Sequence, residues 1–192
     1  MNHLEQRLTD ILKAAPQLMR VLKMARELDL PDWLVFSGAV YQPVLNQLTG
    51  RPSDYGIKDY DLAYFDAADI SYEAEDVVIR RVAAAFEEPL KSMVEVRNQA
   101  RVHCWYPAKF GADYPPLGRA TDGIDRFLAP ACMVGIAPTP RGPVVYAPKG
   151  FGDIEGMMVR PNRCLNFRRD QYERKAARWK SLWPELQIMP AT

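Results

Sequence analysis

Histidine and cysteine are scarce: the chain has two of the first and three of the second, and Cys104, Cys132 and Cys164 stand apart with no CxxC pair. This excludes a structural zinc site of ordinary composition. Free, mostly buried thiols in a reducing, cytoplasmic compartment are the expectation. An excess of charge of either sign is also missing. Twenty-five Lys and Arg face 24 Asp and Glu, for a formal net charge of +1. No global field therefore marks a nucleic-acid or membrane binder, and any basic site must be local. No run approaches the roughly 18 apolar residues of a transmembrane helix. The opening MNHLEQRLTDILKAAP mixes charges among its apolar residues and lacks a small-residue cleavage site, which argues against a signal peptide. No internal repeat or low-complexity tract is present, and nothing in the sequence specifies an oligomeric state.

What is present is enough for a core. A chain of 192 residues buries about 70% of its unfolded surface. It suits one domain over 1–192, with a helical pair at about 4–28 and a basic C-terminal helix at about 167–183. Leu4, Leu8, Ile11 and Leu12, then Leu18, Val21, Leu22, Ala25 and Leu28, recur at helical spacing, and Pro16 fits the start of the second helix. Trp33 to Phe36 reads as a buried strand. Ser37-Gly38-Ala39 then turns into a helix carrying Val40, Val44, Leu45 and Leu48 on one face, with Pro43 expected in its first turn. TGRPSDYGIK has loop chemistry.

Residues 72–86 predict a helix with Ala74, Val77, Val78, Val82, Ala85 and Phe86 inward and Arg80 and Arg81 outward. SMVEVR predicts a strand over 92–97. The following NQARVHCWYPAKFG reads equally as continued strand or as a helix stopped by Pro107. Asp122 to Leu128 predicts a short helix, ACMVGI a buried strand, PTPRG a turn and PVVYAP its hairpin partner. The order of elements implies an α+β fold, a mixed β-sheet flanked by helices.

The segment KDYDLAYFD poses the sharpest question. Aspartate is depleted in strands, yet Asp59 and Asp61 lie two residues apart and so share a face. Two negative charges about 6 Å apart repel by roughly 3 kcal/mol at an effective dielectric near 20. Solvent, a basic neighbour or a divalent cation would compensate them. Asp66, at the end of the run, reads as a turn-forming residue.

Strand-Ser37-Gly38-Ala39-helix, then Asp59-Tyr60-Asp61, then Val94-Glu95-Val96 form an ordered set that resembles the DNA polymerase β-type nucleotidyltransferase superfamily. GAVYQ, IKDYDLAYFD, EVRNQARVHCWY, VYAPKGFGDIE and VRPN look more closely like a bacterial nucleotidyltransferase-like family, over roughly residues 33–183. The resemblance implies a nucleotidyltransferase-like sheet and transfer of an NMP from an NTP to an acceptor, with release of pyrophosphate. It also implies Mg²⁺ or Mn²⁺ held by Asp59, Asp61 and Glu95, hard ions that require oxygen donors. The turn of Ser37, Gly38 and Ala39 would seat the triphosphate on a helix N-terminus.

Beside these, Arg97 and Arg101 offer donors suited to phosphate, Asn98 could read a base or sugar edge, and Lys58 stands next to the acids. Each has an ordinary alternative, pairing with acids of the fold or with solvent. His103 reads as a structural histidine. The turn is Gly-Ala where the superfamily more often has Gly-Ser or Gly-Gly, and it lacks the hydroxyl that a serine there would offer to phosphate. A catalytically silent nucleotide-binding module is the second reading, and a metal-dependent phosphodiesterase the third. The acceptor is not legible. RNA contact by RRDQYERKAARWK is chemically allowed, but Asp170 and Glu173 dilute its charge, and packing of Tyr172 and Trp179 on the core is the favoured reading.

Overall fold

Pro16 opens the first helix, α1 (Pro16–Leu28), in the computed structural model, which describes residues 6, 10–139 and 143–191. Its missing N–H suits a helix start, and Leu18, Val21, Leu22, Ala25 and Leu28 are buried as their spacing predicts. The helix expected ahead of it lies mostly outside the described residues; residues 10–13 are helical.

Five strands make the main sheet: β1 (Leu34–Phe36), β2 (Tyr60–Tyr64), β3 (Val94–Asn98), β4 (Gly135–Ala137) and β5 (Val144–Tyr146), in the order β3-β2-β1-β4-β5. β2 and β3 are parallel, and the other neighbours are antiparallel. The fold is thus α+β with a mixed sheet. β4 and β5 pair as the expected hairpin, while the turn predicted between them falls partly on residues 140–142, outside the described ones.

α2 (Gly38–Leu48) follows β1 directly and is buried from Gly38 through Asn46. It begins before the position expected from Pro43, so the proline is interior rather than in the first turn. The loop of residues 50–58 is tied down by Asn46, whose Nδ2 donates to the carbonyls of Ser53 and Tyr55 at 3.2 and 2.9 Å. Asn46 Oδ1 accepts the Trp183 indole N–H at 2.9 Å, joining that loop and the C-terminus to the centre of the molecule.

α3 (Tyr72–Ala85) corrects the predicted inward face. Val77 is 59% exposed, whereas Glu75 is 2% exposed and shares the inward stripe with Val82 and Phe86. The reason is polar: Glu75 Oε1 accepts the Asn98 N–H at 2.8 Å, and its other oxygen pairs with Arg101. A buried ion pair rotates the helix away from the purely apolar solution.

The start of SMVEVR is also different. Leu90–Met93 forms a helical turn, α4, and β3 begins only at Val94. After β3 come a 3₁₀ turn, Gln99–Arg101, and α5 (Val102–Phe110), which settles the ambiguous stretch as helix. Pro107 lies inside α5, and Gly111, in the left-handed region at φ 65°, ends it. The predicted helix near Asp122 is a 3₁₀ segment, Ala120–Arg126, and the front of ACMVGI is another, Pro130–Cys132.

α6 (Gly152–Glu155) and a two-strand parallel pair, β6 (Met158–Val159) with β7 (Gln187–Ile188), close the far side. α7 (Arg169–Leu182) buries Tyr172, Ala176 and Trp179. Burial of a side chain as large as Phe contributes roughly 1.5–3 kcal/mol, so these aromatics, with the fully buried Trp183, fix the helix to the core. No helix among the described residues is long and apolar enough to cross a membrane.

Candidate active site

Strand alternation builds the site. In the parallel ladder Asp61 lies opposite Glu95 and Ala63 opposite Arg97. Asp61, Glu95 and Arg97 line one cleft of about 640 Å³. Side chains two residues apart on a strand share a face, and on β3 that face carries Glu95 and Arg97; Gln99, the first residue of the 3₁₀ turn after the strand, also lines the cleft. Asn98, of opposite parity, points into the fold.

Asp61 is the electrostatic centre. Its carboxyl is pushed up to about 7, first by burial and then by the charge of Asp59; Glu95 adds to the rise, and Lys175 and Arg97 oppose it. Asp59 precedes β2 and is half-buried. Glu95 is exposed, and its Oε2 lies 3.8 Å from Arg97 Nη2. Carboxylate oxygens are the donors a hard divalent cation takes, and Asp61 feels the negative charge of two other carboxylates, offset in part by Lys175 and Arg97. Among the described residues no three His, Cys, Asp or Glu side chains converge closely enough to hold an ion. Of the three carboxylates, Asp61 and Glu95 line the cleft and Asp59 does not, and Glu95 is turned toward Arg97.

The turn sits next to these acids. Phe36 pairs opposite Asp61 and lines the cleft, so Ser37 follows one residue beyond the carboxylate. Ser37 holds φ 56° and ψ −124°, and its hydroxyl makes no capping bond. Its carbonyl accepts the N–H groups of Val40 and Tyr41 at 2.9 and 3.0 Å. Gly38 and Ala39 supply first-turn amides at the positive end of α2. Ser37, Gly38 and Ala39 are all buried. At Gly38 an added Cβ would lie 2.8 Å from Gln42 Nε2, so the glycine lets Gln42 fold back across the turn.

Of the sequence candidates, Asp61, Glu95 and Arg97 line the cleft; Asp59 and the turn of Ser37, Gly38 and Ala39 neighbour lining residues in sequence without lining it themselves, and three others are placed elsewhere. Asn98 is 1% exposed, and its side chain is engaged by backbone: Nδ2 donates to the Asp66 carbonyl at 2.8 Å, and Oδ1 accepts the N–H groups of Asp66 and Ala100 at 3.1 and 3.0 Å. Arg101 is committed to Glu75 and to the Ile70 carbonyl, the latter at 3.2 Å. Lys58 is exposed and does not line the cleft. Asp66 makes the expected turn, accepting the Ala68 N–H at 2.9 Å, and His103 also lies off the cleft.

Further lining comes from the basic C-terminal helix and from α5. Gln171, Arg174, Lys175 and Arg178 of α7 line the cleft, at the i, i+3, i+4 and i+7 spacing of one helical face. The signal was present in YERKAARWK: the aromatics take one face of that helix and the cations an adjoining one. α5 contributes Trp105, Tyr106, Lys109 and Phe110, and Tyr114 and Arg126 close the rim. Tyr106 stacks near Phe110 and Tyr114, with centroids 4.6 and 4.4 Å away, and its hydroxyl accepts from Asn166 Nδ2 at 2.8 Å. Six cations, Arg97, Lys109, Arg126, Arg174, Lys175 and Arg178, face two carboxylates in this lining. Such a surface concentrates a polyanion, and its rings offer stacking planes to a planar group.

The same architecture occurs in solved structures. One, an NMR structure described as revealing a CCA-adding enzyme head domain, superimposes with a TM-score of 0.78 at 22% identity over 97% of this chain and 96% of its own. A CCA-adding enzyme in complex with CTP gives 0.56 at 14% identity, covering 95% of this chain and 43% of that one. The apo form I of a CCA-adding enzyme gives 0.55 at 15% identity, covering 96% and 43%. The chain thus spans less than half the length of those two enzymes, and identities this low carry the fold alone. A search of curated proteins finds no match. The nucleotidyltransferase family model covers residues 23–188, which include the turn, both aspartates, Glu95 and the cationic face of α7, and the chain therefore belongs to the nucleotidyltransferase family.

Proposed function

We propose that this chain transfers an NMP from an NTP to an acceptor, releasing pyrophosphate. The observation that carries this reading is the pairing of Asp61 opposite Glu95 at a cleft whose facing wall is the cationic stripe of α7. Acids at one end and cations across from them suit a reaction in which phosphate charge must be both held and redistributed.

In this reading Asp59 and Asp61 hold Mg²⁺ or Mn²⁺, with Glu95 as the further carboxylate. A bound divalent ion supplies Lewis-acid polarisation of the α-phosphoryl group and neutralises the leaving charge. The amides of Gly38 and Ala39 and the side chains of Arg174, Lys175 and Arg178 orient the triphosphate. Glu95 takes the proton of the acceptor hydroxyl as its oxygen bonds to the α-phosphorus. The bond from that phosphorus to the β-bridging oxygen breaks, and pyrophosphate carries away the electron pair. The test is pyrophosphate release from NTP with Mg²⁺ and candidate acceptors. Asp61→Asn should abolish it without loss of fold, and undiminished release by that variant would refute the assignment.

A silent nucleotide-binding module is the second reading. It is favoured by the absence, among the described residues, of a three-residue ligand cluster and by the Gly-Ala turn without its hydroxyl. Mg²⁺-dependent NTP binding with no pyrophosphate release under any acceptor would select it.

A further inference from the structure

Gln99 is 6% exposed, lines the cleft, and its side-chain amide forms no hydrogen bond with any described residue. Its polar atoms are not among those sealed away from the surface without a partner, so the amide opens onto the cleft. A mostly buried amide left unpaired costs free energy that a ligand recovers by pairing with it. Asn98, one residue earlier, shows the contrast: it is also buried, but its side chain is consumed by backbone partners.

The surroundings specify what Gln99 faces. Gly123 clears the space beside it, since a Cβ there would lie 2.5 Å from Gln99 Oε1. Val102, Tyr106 and Tyr114 line the cleft with it, and Val102 and Tyr114 form one apolar cluster against which Tyr106 packs. A neutral donor–acceptor pair among aromatic rings suits the edge of a planar heterocycle. Phosphate oxygens would instead be drawn to Arg174, Lys175 and Arg178. Gln99 opens the 3₁₀ turn that follows β3, four residues beyond Glu95 and at most about 13 Å from it. That interval lets a nucleotide place its phosphates at the carboxylate end and its base at the amide.

We propose that Gln99 reads the base of the bound nucleotide, donating and accepting one hydrogen bond each with the base edge while the base lies in the aromatic end of the cleft. A Gln amide is suited to such two-point contact. The assignment rests on the nucleotide reading above.

The experiment measures affinities of the full chain, with Mg²⁺, for the four NTPs and for inorganic tripolyphosphate. Gln99→Met keeps length and flexibility but removes both hydrogen-bonding atoms. It should weaken binding of the preferred NTP by about tenfold, as expected for a lost base contact, and narrow the spread among bases, leaving tripolyphosphate affinity unchanged. Gly123→Ala, which crowds the amide from its far side, should shift NTP affinity in the same direction and spare tripolyphosphate; it serves as well should Gln99→Met melt early. If both variants bind all four NTPs as the parent does, or lose tripolyphosphate in proportion, base reading by Gln99 is overturned while the nucleotide site stands. If the parent binds tripolyphosphate but prefers no NTP over it, or binds neither, the nucleotide reading itself fails, and this assignment with it.

Discussion

Lys175 of α7 acts across the cleft on Asp61 of β2, favouring its ionised form against burial and the charge of Asp59. The two residues are far apart in sequence, and their opposition gives the cleft its polarity. Removing the ammonium with Lys175→Met is expected to raise the proton affinity of Asp61 further and to weaken NTP binding. An NMR titration of the Asp61 carboxyl carbon checks the first outcome and calorimetry the second. An unchanged midpoint would show that the lysine points elsewhere in solution.

Asp61 also makes stability depend on pH. Its folded value of about 7 lies above its ordinary carboxylate value of 3.8, so the folded state binds the proton more tightly than the unfolded chain. The resulting stabilisation is full below pH 4, falls as pH rises through 7 and is absent above that. Asp61→Asn, which cannot ionise, should therefore gain on the parent across this window and be more stable at pH 8, by on the order of 1–3 kcal/mol. Urea unfolding of both proteins between pH 4 and pH 8 measures the difference. A constant offset across that range would mean that Asp61 is solvated.

Arg101 is expected to matter for stability and not for ligand affinity. Its side chain is 11% exposed and that of Glu75 is 3% exposed, so Arg101→Met strands a buried carboxylate. Loss of one partner from such a pair costs roughly 3–5 kcal/mol. Chemical denaturation should show that loss, while NTP affinity of the folded variant stays at the parental level. A variant that loses affinity with stability intact would return Arg101 to the phosphate site.

Ser37 carries a backbone conformation that favours glycine, φ 56° and ψ −124°. Ser37→Gly should stabilise the protein by roughly 1 kcal/mol, since relief of strain outweighs the added freedom of the unfolded chain. A raised Tm would confirm it. A lowered Tm would show that the serine side chain holds the turn in place.

The parts of the fold legible in the sequence were those governed by local periodicity. α1 kept its apolar stripe, the β4–β5 hairpin formed where alternation placed it, and the aromatics of α7 went inward. α3 departs from its apolar periodicity because its inward stripe includes Glu75, whose partners Asn98 and Arg101 belong to a segment with no local signal of contact. Of the D-x-D pair, Asp61 lies on β2 and lines the cleft, while Asp59 precedes the strand and does not. Beyond Glu95, strand parity separates Arg97, which faces the cleft, from Asn98, which points inward; Gln99 and Arg101 lie in the 3₁₀ turn, where strand alternation no longer applies. The cations of α7 could be read as a helical face, but their placement opposite Asp61 depends on chain topology, which no local pattern encodes.

The most direct measurement is a crystal structure of the protein with Mg²⁺ and a non-hydrolysable NTP. The expected result is density for an ion at Asp59 and Asp61, triphosphate between that ion and Lys175, and the base beside Gln99 among Tyr106 and Tyr114. Nucleotide bound outside this cleft, or within it with its phosphates remote from both aspartates, would contradict the central claim.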